Sequence, residues 1–175
     1  MDILFLGHSL IEFFDWQERF PDHRAVNLGK GGESVEGLLV RVRKLTGSSS
    51  SAGLIFIMSG INNMAMEDLD FMGPYREIIK ELSTAFPKAR IFINSLLPTL
   101  LDFIPDKSIR SINSSLKKLV EEHNRVEFLD IYSLFIDEQG RAFRHYLLDD
   151  GIHLSNKGYA VWSEELEKVI NKYSS

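Results

Sequence analysis

The sequence predicts a doubly wound α/β sandwich, and three observations carry that prediction. Five short apolar runs are continuous rather than alternating, as expected of strands buried on both faces of a helix-covered parallel sheet. Between the runs, apolar residues recur at helical spacing. Strands alternating with helices imply right-handed crossovers that place helices on both sides of one sheet. A length of 175 residues, with no internal repeat and no linker, suits a single domain over residues 1–175.

In chain order, residues 3–6 are the first strand and residues 10–20 a shorter helix. Residues 25–28 form the second strand. Val35, Leu38, Leu39, Val42 and Leu45 then mark a helix face. The low-complexity stretch 47–53 reads as a flexible surface loop leading into a third strand, Leu54–Met58. Tyr75, Ile78, Ile79, Leu82 and Phe86 mark the next helix, opened by Gly73-Pro74 and stopped by Pro87. A fourth strand, Arg90–Asn94, precedes the stripe Ile109, Ile112, Leu116, Leu119 and Val120. Residues 126–131 are the fifth strand. Residues 132–154 then show little regular pattern, and loops of that length inside a compact domain are usually functional. Tyr159, Trp162, Leu166, Val169, Ile170 and Tyr173 mark the last helix.

Composition narrows the chemistry. The absence of cysteine excludes disulfides, thiolate metal sites and a cysteine nucleophile. A net charge of −5 argues against a nucleic-acid binder, which needs clustered Lys and Arg. No window approaches the 18 or more apolar residues of a membrane helix. The opening residues lack the basic start and the length of a signal peptide, so the cytoplasm is the default compartment. A secreted protein whose leader has been removed would read the same.

Ligands of open α/β sheets bind beyond the carboxyl ends of the strands. The segments at those ends are Gly7-His8-Ser9-Leu10, Asn27-Leu28-Gly29-Lys30-Gly31-Gly32-Glu33-Ser34, Ser59-Gly60-Ile61-Asn62-Asn63 and, after the long loop, Asp149-Asp150-Gly151-Ile152-His153-Leu154. They hold the parts of a serine hydrolase. Ser9 offers a hydroxyl, His153 a base near neutral pH, and Asp150 a group to orient the imidazole. The N–H groups of Ser9 and Gly32 and the amide of Asn62 could form an oxyanion hole.

Each residue also has a plainer reading. Ser9 could be a helix cap, the glycines a tight turn, Asn62 and Asn63 turn formers, and His153 a cap or core residue. It is their convergence at one end of one sheet that favours catalysis. The Gly-x-Ser-x-Gly elbow is absent, as are His-Glu-x-x-His and any clustered metal-ligand spacing, so neither metal nor cofactor is expected. His145 is the rival base, but no acid stands three residues before it, and His123 is expected in solvent at a helix end.

Taken together, the four blocks resemble those of the SGNH (GDSL-type) hydrolases, and they span nearly the whole chain, ending in Asn156-Lys157-Gly158-Tyr159. The resemblance implies a flavodoxin-like three-layer sandwich with a five-stranded parallel sheet in the order 2-1-3-4-5. It implies cofactor-free esterase or lipase-like acyl hydrolysis. It makes Ser9 the nucleophile, Asp150 and His153 the acid and base, and Ser9, Gly32 and Asn62 the oxyanion donors. Two positions depart from the family pattern: His8 and Asn63 stand where it usually has Asp. Both would support the site from behind, and His8 is expected to turn to solvent.

The expected substrate is a small ester with a short acyl group, because so short a chain leaves little room for a lid. Acetylated carbohydrates, short-acyl lipids and thioesters all fit. Apolar residues at the same sheet end (Phe13, Phe14 and Trp16; Met64 to Met72; Leu100 to Ile104) are either an acyl pocket or satellite core. The alternatives are a catalytically silent SGNH-like module that binds carbohydrate or a small molecule, and a flavodoxin-like phosphate binder using residues 29–34. A homodimer through helices is compatible with the pattern.

Overall fold

The computed structural model describes residues 1–45 and 51–174. Most of the expected 47–53 loop therefore lies outside the described residues. Five parallel strands, β1 (Asp2–Gly7), β2 (Arg24–Gly29), β3 (Leu54–Met58), β4 (Arg90–Asn94) and β5 (Val126–Leu129), pair in the order 2-1-3-4-5. The α/β class and the strand order are those the sequence predicts. The continuous-apolarity rule holds for the three central strands, which are buried almost throughout, whereas the edge strands β2 and β5 are half-exposed. An edge strand has a neighbour on one side only, and its margin meets water.

The described residues form seven α-helices: α1 (Ser9–Glu12), α2 (Trp16–Arg19), α3 (Val35–Leu45), α4 (Ile61–Ala65), α5 (Met72–Ala85), α6 (Asp106–Val120) and α7 (Asn156–Tyr173). Alternation along the strands divides the core. Phe5, Phe56 and Phe92, aligned by register, form an aromatic row with Trp16, Trp162 and Tyr173 of α2 and α7. On the other face α5 packs between α3 and α6, touching both. Arg19 ties α2 to α7 through Ser163 and a two-pronged pair with Glu167.

Two local expectations fail. Residues 10–20 are two helices rather than one, because the Asp15 carboxylate accepts the Glu18 N–H and starts a second helix. The plainer reading of Asn62 and Asn63 as turn formers also fails, because residues 61–65 form α4. The long segment 132–154 holds two 3-10 turns, Tyr132–Phe135 and Arg144–Tyr146, and two isolated bridges, of which Leu147↔Leu154 closes its last loop.

Candidate active site

Ser9 is the first residue of α1, directly beyond the carboxyl end of β1. His8 is the cap: its Nδ1 accepts the Leu10 N–H at 3.4 Å. Contrary to expectation, its ring is not in solvent but only 1% exposed. The short link from a buried central strand to α1 leaves it no way out. Burial, and to a smaller extent the nearby His153, push its pKa down to about 4, so it is neutral at physiological pH. With Nδ1 accepting, the neutral ring carries its proton on Nε2, which has no partner among the described residues.

The closing loop brings the other titratable residues to Ser9. His153 Nε2 lies 2.9 Å from Ser9 Oγ, and His153 Nδ1 lies 2.6 Å from Asp150 Oδ2. Asp150 Oδ1 accepts the backbone N–H groups of Ile152 and His153, so one carboxylate both shapes the turn and holds the imidazole. Its partial burial would raise the Asp150 pKa. The bonds from Ile152 and His153 outweigh that and bring it to about 2, so the carboxylate is ionised across the working pH range. A hydroxyl, an imidazole and a carboxylate in this sequence can pass a proton from the hydroxyl to the imidazole and stabilise the resulting cation.

The candidate donors gather on the same side. A turn over residues 30–33 leaves the end of β2, and within it Gly32 adopts φ +71°, a conformation that favours glycine. The Gly32 N–H has no hydrogen-bond partner among the described residues. Asn62, on α4, donates one amide hydrogen to the Glu33 carbonyl at 3.0 Å, which braces the same turn and leaves its second hydrogen for another acceptor. Asn63 is fully buried and does a different job. It accepts the Val35 N–H at the start of α3 and donates to the carboxylates of Glu36 and Asp68. An aspartate could not donate those two bonds, which gives a physical reason for the departure at this position.

His8 and Leu10, the neighbours of the serine, help with Ile61, Leu96, Leu97 and Ile152 to line a cavity of about 10 Å³, the room of one water-sized sphere; Ser9 itself does not line it. None of the apolar residues expected to line an acyl pocket is among them. Trp16, Met64, Phe71 and Ile104 are core, while Phe13, Met66, Leu69, Leu100 and Phe103 are exposed. The lining comes instead from residues immediately beyond the strands, which the strand pattern could have indicated. Phe13 stands over the site, its ring 5.3 Å from that of His153. His145 is exposed and meets the ring of Tyr146 edge-on, and His123 is half-buried rather than solvated. Among the described residues, no three His, Asp or Glu side chains converge as metal ligands.

The family model of the GDSL-like Lipase/Acylhydrolase family matches residues 13–161. The chain belongs to this family. That match begins after Ser9, so membership does not depend on the serine block. As a GDSL-type acylhydrolase, the chain is 27% identical over 174 residues to the platelet-activating factor acetylhydrolase IB subunit alpha2 of Rattus norvegicus, covering 97% of this chain and 76% of the relative. It is 26% identical to subunit alpha1 from Homo sapiens, with 97% and 75% covered. Among solved structures, one from Streptococcus pneumonia named for platelet activating factor superposes with a TM-score of 0.88 at 24% identity, covering 96% of this chain and 83% of that one. A family 3 carbohydrate esterase from Talaromyces cellulolyticus superposes at 0.77 and 15% identity, covering 99% and 98%. These structures share the fold. No helix among the described residues is long and apolar enough to cross a membrane.

Proposed function

We propose that this GDSL-type acylhydrolase cleaves carboxylic esters with short acyl groups through an acyl-enzyme on Ser9. The reading is carried by one observation, the unbroken chain Ser9 Oγ, His153, Asp150 with links of 2.9 and 2.6 Å. Ser9 Oγ attacks the ester carbonyl as His153 Nε2 takes its proton, and Asp150 stabilises the imidazolium. The tetrahedral oxyanion accepts hydrogen bonds from Ser9 N–H, Gly32 N–H and the second amide hydrogen of Asn62. His153 returns the proton to the departing alkoxide, and the alcohol leaves. Water, deprotonated by His153, attacks the acyl-enzyme. The acid is released and Ser9 recovers its proton.

The cavity lined by the neighbours of Ser9 has room for one water-sized sphere, which favours a short acyl group over a long one. The exposed Phe13, Leu100 and Phe103 support an alcohol portion with apolar surface rather than a bare polar sugar. Names of the relatives are in keeping with this, since two are acetylhydrolases. A p-nitrophenyl ester series from acetyl to decanoyl, run on wild type and Ser9→Ala, tests both halves. Turnover is expected to peak at acetyl or propionyl and to fall at least about 10³-fold in Ser9→Ala. Wild-type turnover in the variant, or better turnover on decanoyl than on acetyl, overturns the corresponding half.

A further inference from the structure

The turn that presents Gly32 is held from two sides. On one side Asn62 donates to the Glu33 carbonyl. On the other, the exposed carboxylate of Glu12, at the end of α1, accepts the Gly31 N–H at 2.8 Å. We propose that Glu12 is a positioning residue that sets the direction of the Gly32 N–H, an inference that rests on the proposed role of Gly32 as an oxyanion donor.

Three observations converge on Glu12. First, Ser9 and Glu12 are the two ends of the four-residue α1, so the group that tethers the turn is built into the element that carries the serine. Second, the Glu12–Gly31 bond is the one side-chain hydrogen bond to the Gly31-Gly32 pair among the described residues. The surrounding backbone bonds, Lys30 N–H to the Gly7 carbonyl and Glu33 N–H to the Lys30 carbonyl, leave these two peptides between their anchors. Third, a Cβ at residue 31 would lie 2.9 Å from Glu12 Oε2, so any larger residue there requires the carboxylate to shift. The glycine allows the carboxylate to come close.

Glu12 also has an electrostatic cost. A carboxylate near a developing oxyanion opposes it, so geometry and charge work against each other at this residue. Glutamine separates them, because its amide oxygen can accept the Gly31 N–H without the charge. Loss of the acceptor frees the turn, and a donor displaced by part of an ångström no longer meets the oxyanion.

Steady-state kinetics on p-nitrophenyl acetate test this, with thermal melting to verify folding. Glu12→Ala is expected to lower kcat about tenfold with KM near wild type, because the bond acts on a contact made mainly in the transition state. Glu12→Gln is expected to restore kcat to wild type or above. Gly31→Ala, which pushes the carboxylate away, should resemble Glu12→Ala, and the double variant should be no slower than either single one. A wild-type kcat in Glu12→Ala, or Glu12→Gln as slow as Glu12→Ala, overturns the inference. Ser9→Ala run alongside separates the two failures. If that variant stays active, the proposed site falls and takes this inference with it; if it is inactive while Glu12→Ala is unimpaired, only this inference falls.

Discussion

Burial costs the imidazolium form of His8 its hydration, and His153 nearby repels a second positive charge, so the native protein refuses a proton that its unfolded chain accepts. The native pKa is about 4 against an ordinary 6.5. Between those values the unfolded state binds more protons, so stability falls as pH drops from 6.5 to 4. At about 1.36 kcal/mol per pKa unit, the whole loss is about 3 kcal/mol. His8→Asn keeps an acceptor suited to capping α1 and removes the titration. Urea unfolding at pH 6.5 and at pH 4 should therefore show about 3 kcal/mol less acid destabilisation in the variant. Equal losses in the two proteins would place the acid sensitivity elsewhere. The sequence identified His8 as a departure, but its burial was illegible, because nothing local says whether a residue beyond a strand faces solvent or helix.

At the scale of elements, legibility followed the range of the interactions. Helices α3, α5, α6 and α7 were visible from apolar spacing because each lays one face on the sheet. The break between α1 and α2 was not, since part of its stabilisation comes from the edge strand: Asn27 Nδ2 donates to the carbonyls of Ile11, Glu12 and Phe14, none of which accepts an intrahelical bond from four residues on. Helix α4 was hidden in the same way. Its Asn63 reaches the start of α3 and the carboxylates of Glu36 and Asp68, which are distant or irregular in sequence. The bond from Asn63 holds the Asp68 carboxyl below its usual range. Asn63→Asp would put a third carboxylate in a fully buried position and remove both donors. It should cost about 1–3 kcal/mol at pH 7 by urea unfolding. Adding Asp68→Asn to that variant restores one donor–acceptor pair and should recover part of the loss; a double variant less stable than Asn63→Asp would show that the network does not work through this pair.

Across the whole molecule, a parallel sheet sends every strand's carboxyl end to the same side, and the order 2-1-3-4-5 leaves a crevice beside β1, where Ser9 stands. This is why Ser9, Gly32, Asn62, Asp150 and His153 could be grouped from sequence alone, while the cavity lining, which depends on how helices close over that end, could not. The same geometry sorts charge. The segments beyond the strand ends, residues 8–15, 30–34, 59–71, 95–105 and 130–155, contain twelve acidic and three basic residues. The rest of the chain holds thirteen acidic and seventeen basic residues, so the site-bearing end is negative and the remainder slightly positive. A field of one sign over a cleft raises the encounter rate of oppositely charged ligands and lowers that of like-charged ones. Acetate esters of matched size whose alcohols carry a trimethylammonium, tert-butyl or carboxylate group should therefore fall in that order in kcat/KM. The spread between cation and anion should be about tenfold or more at 10 mM salt and shrink toward unity at 1 M, where the Debye length is about 3 Å. If the order persists unchanged at high salt, selection comes from contacts at the rim, with Phe13 the first residue to substitute. If the carboxylate ester is the fastest at low salt, the field does not govern access to Ser9.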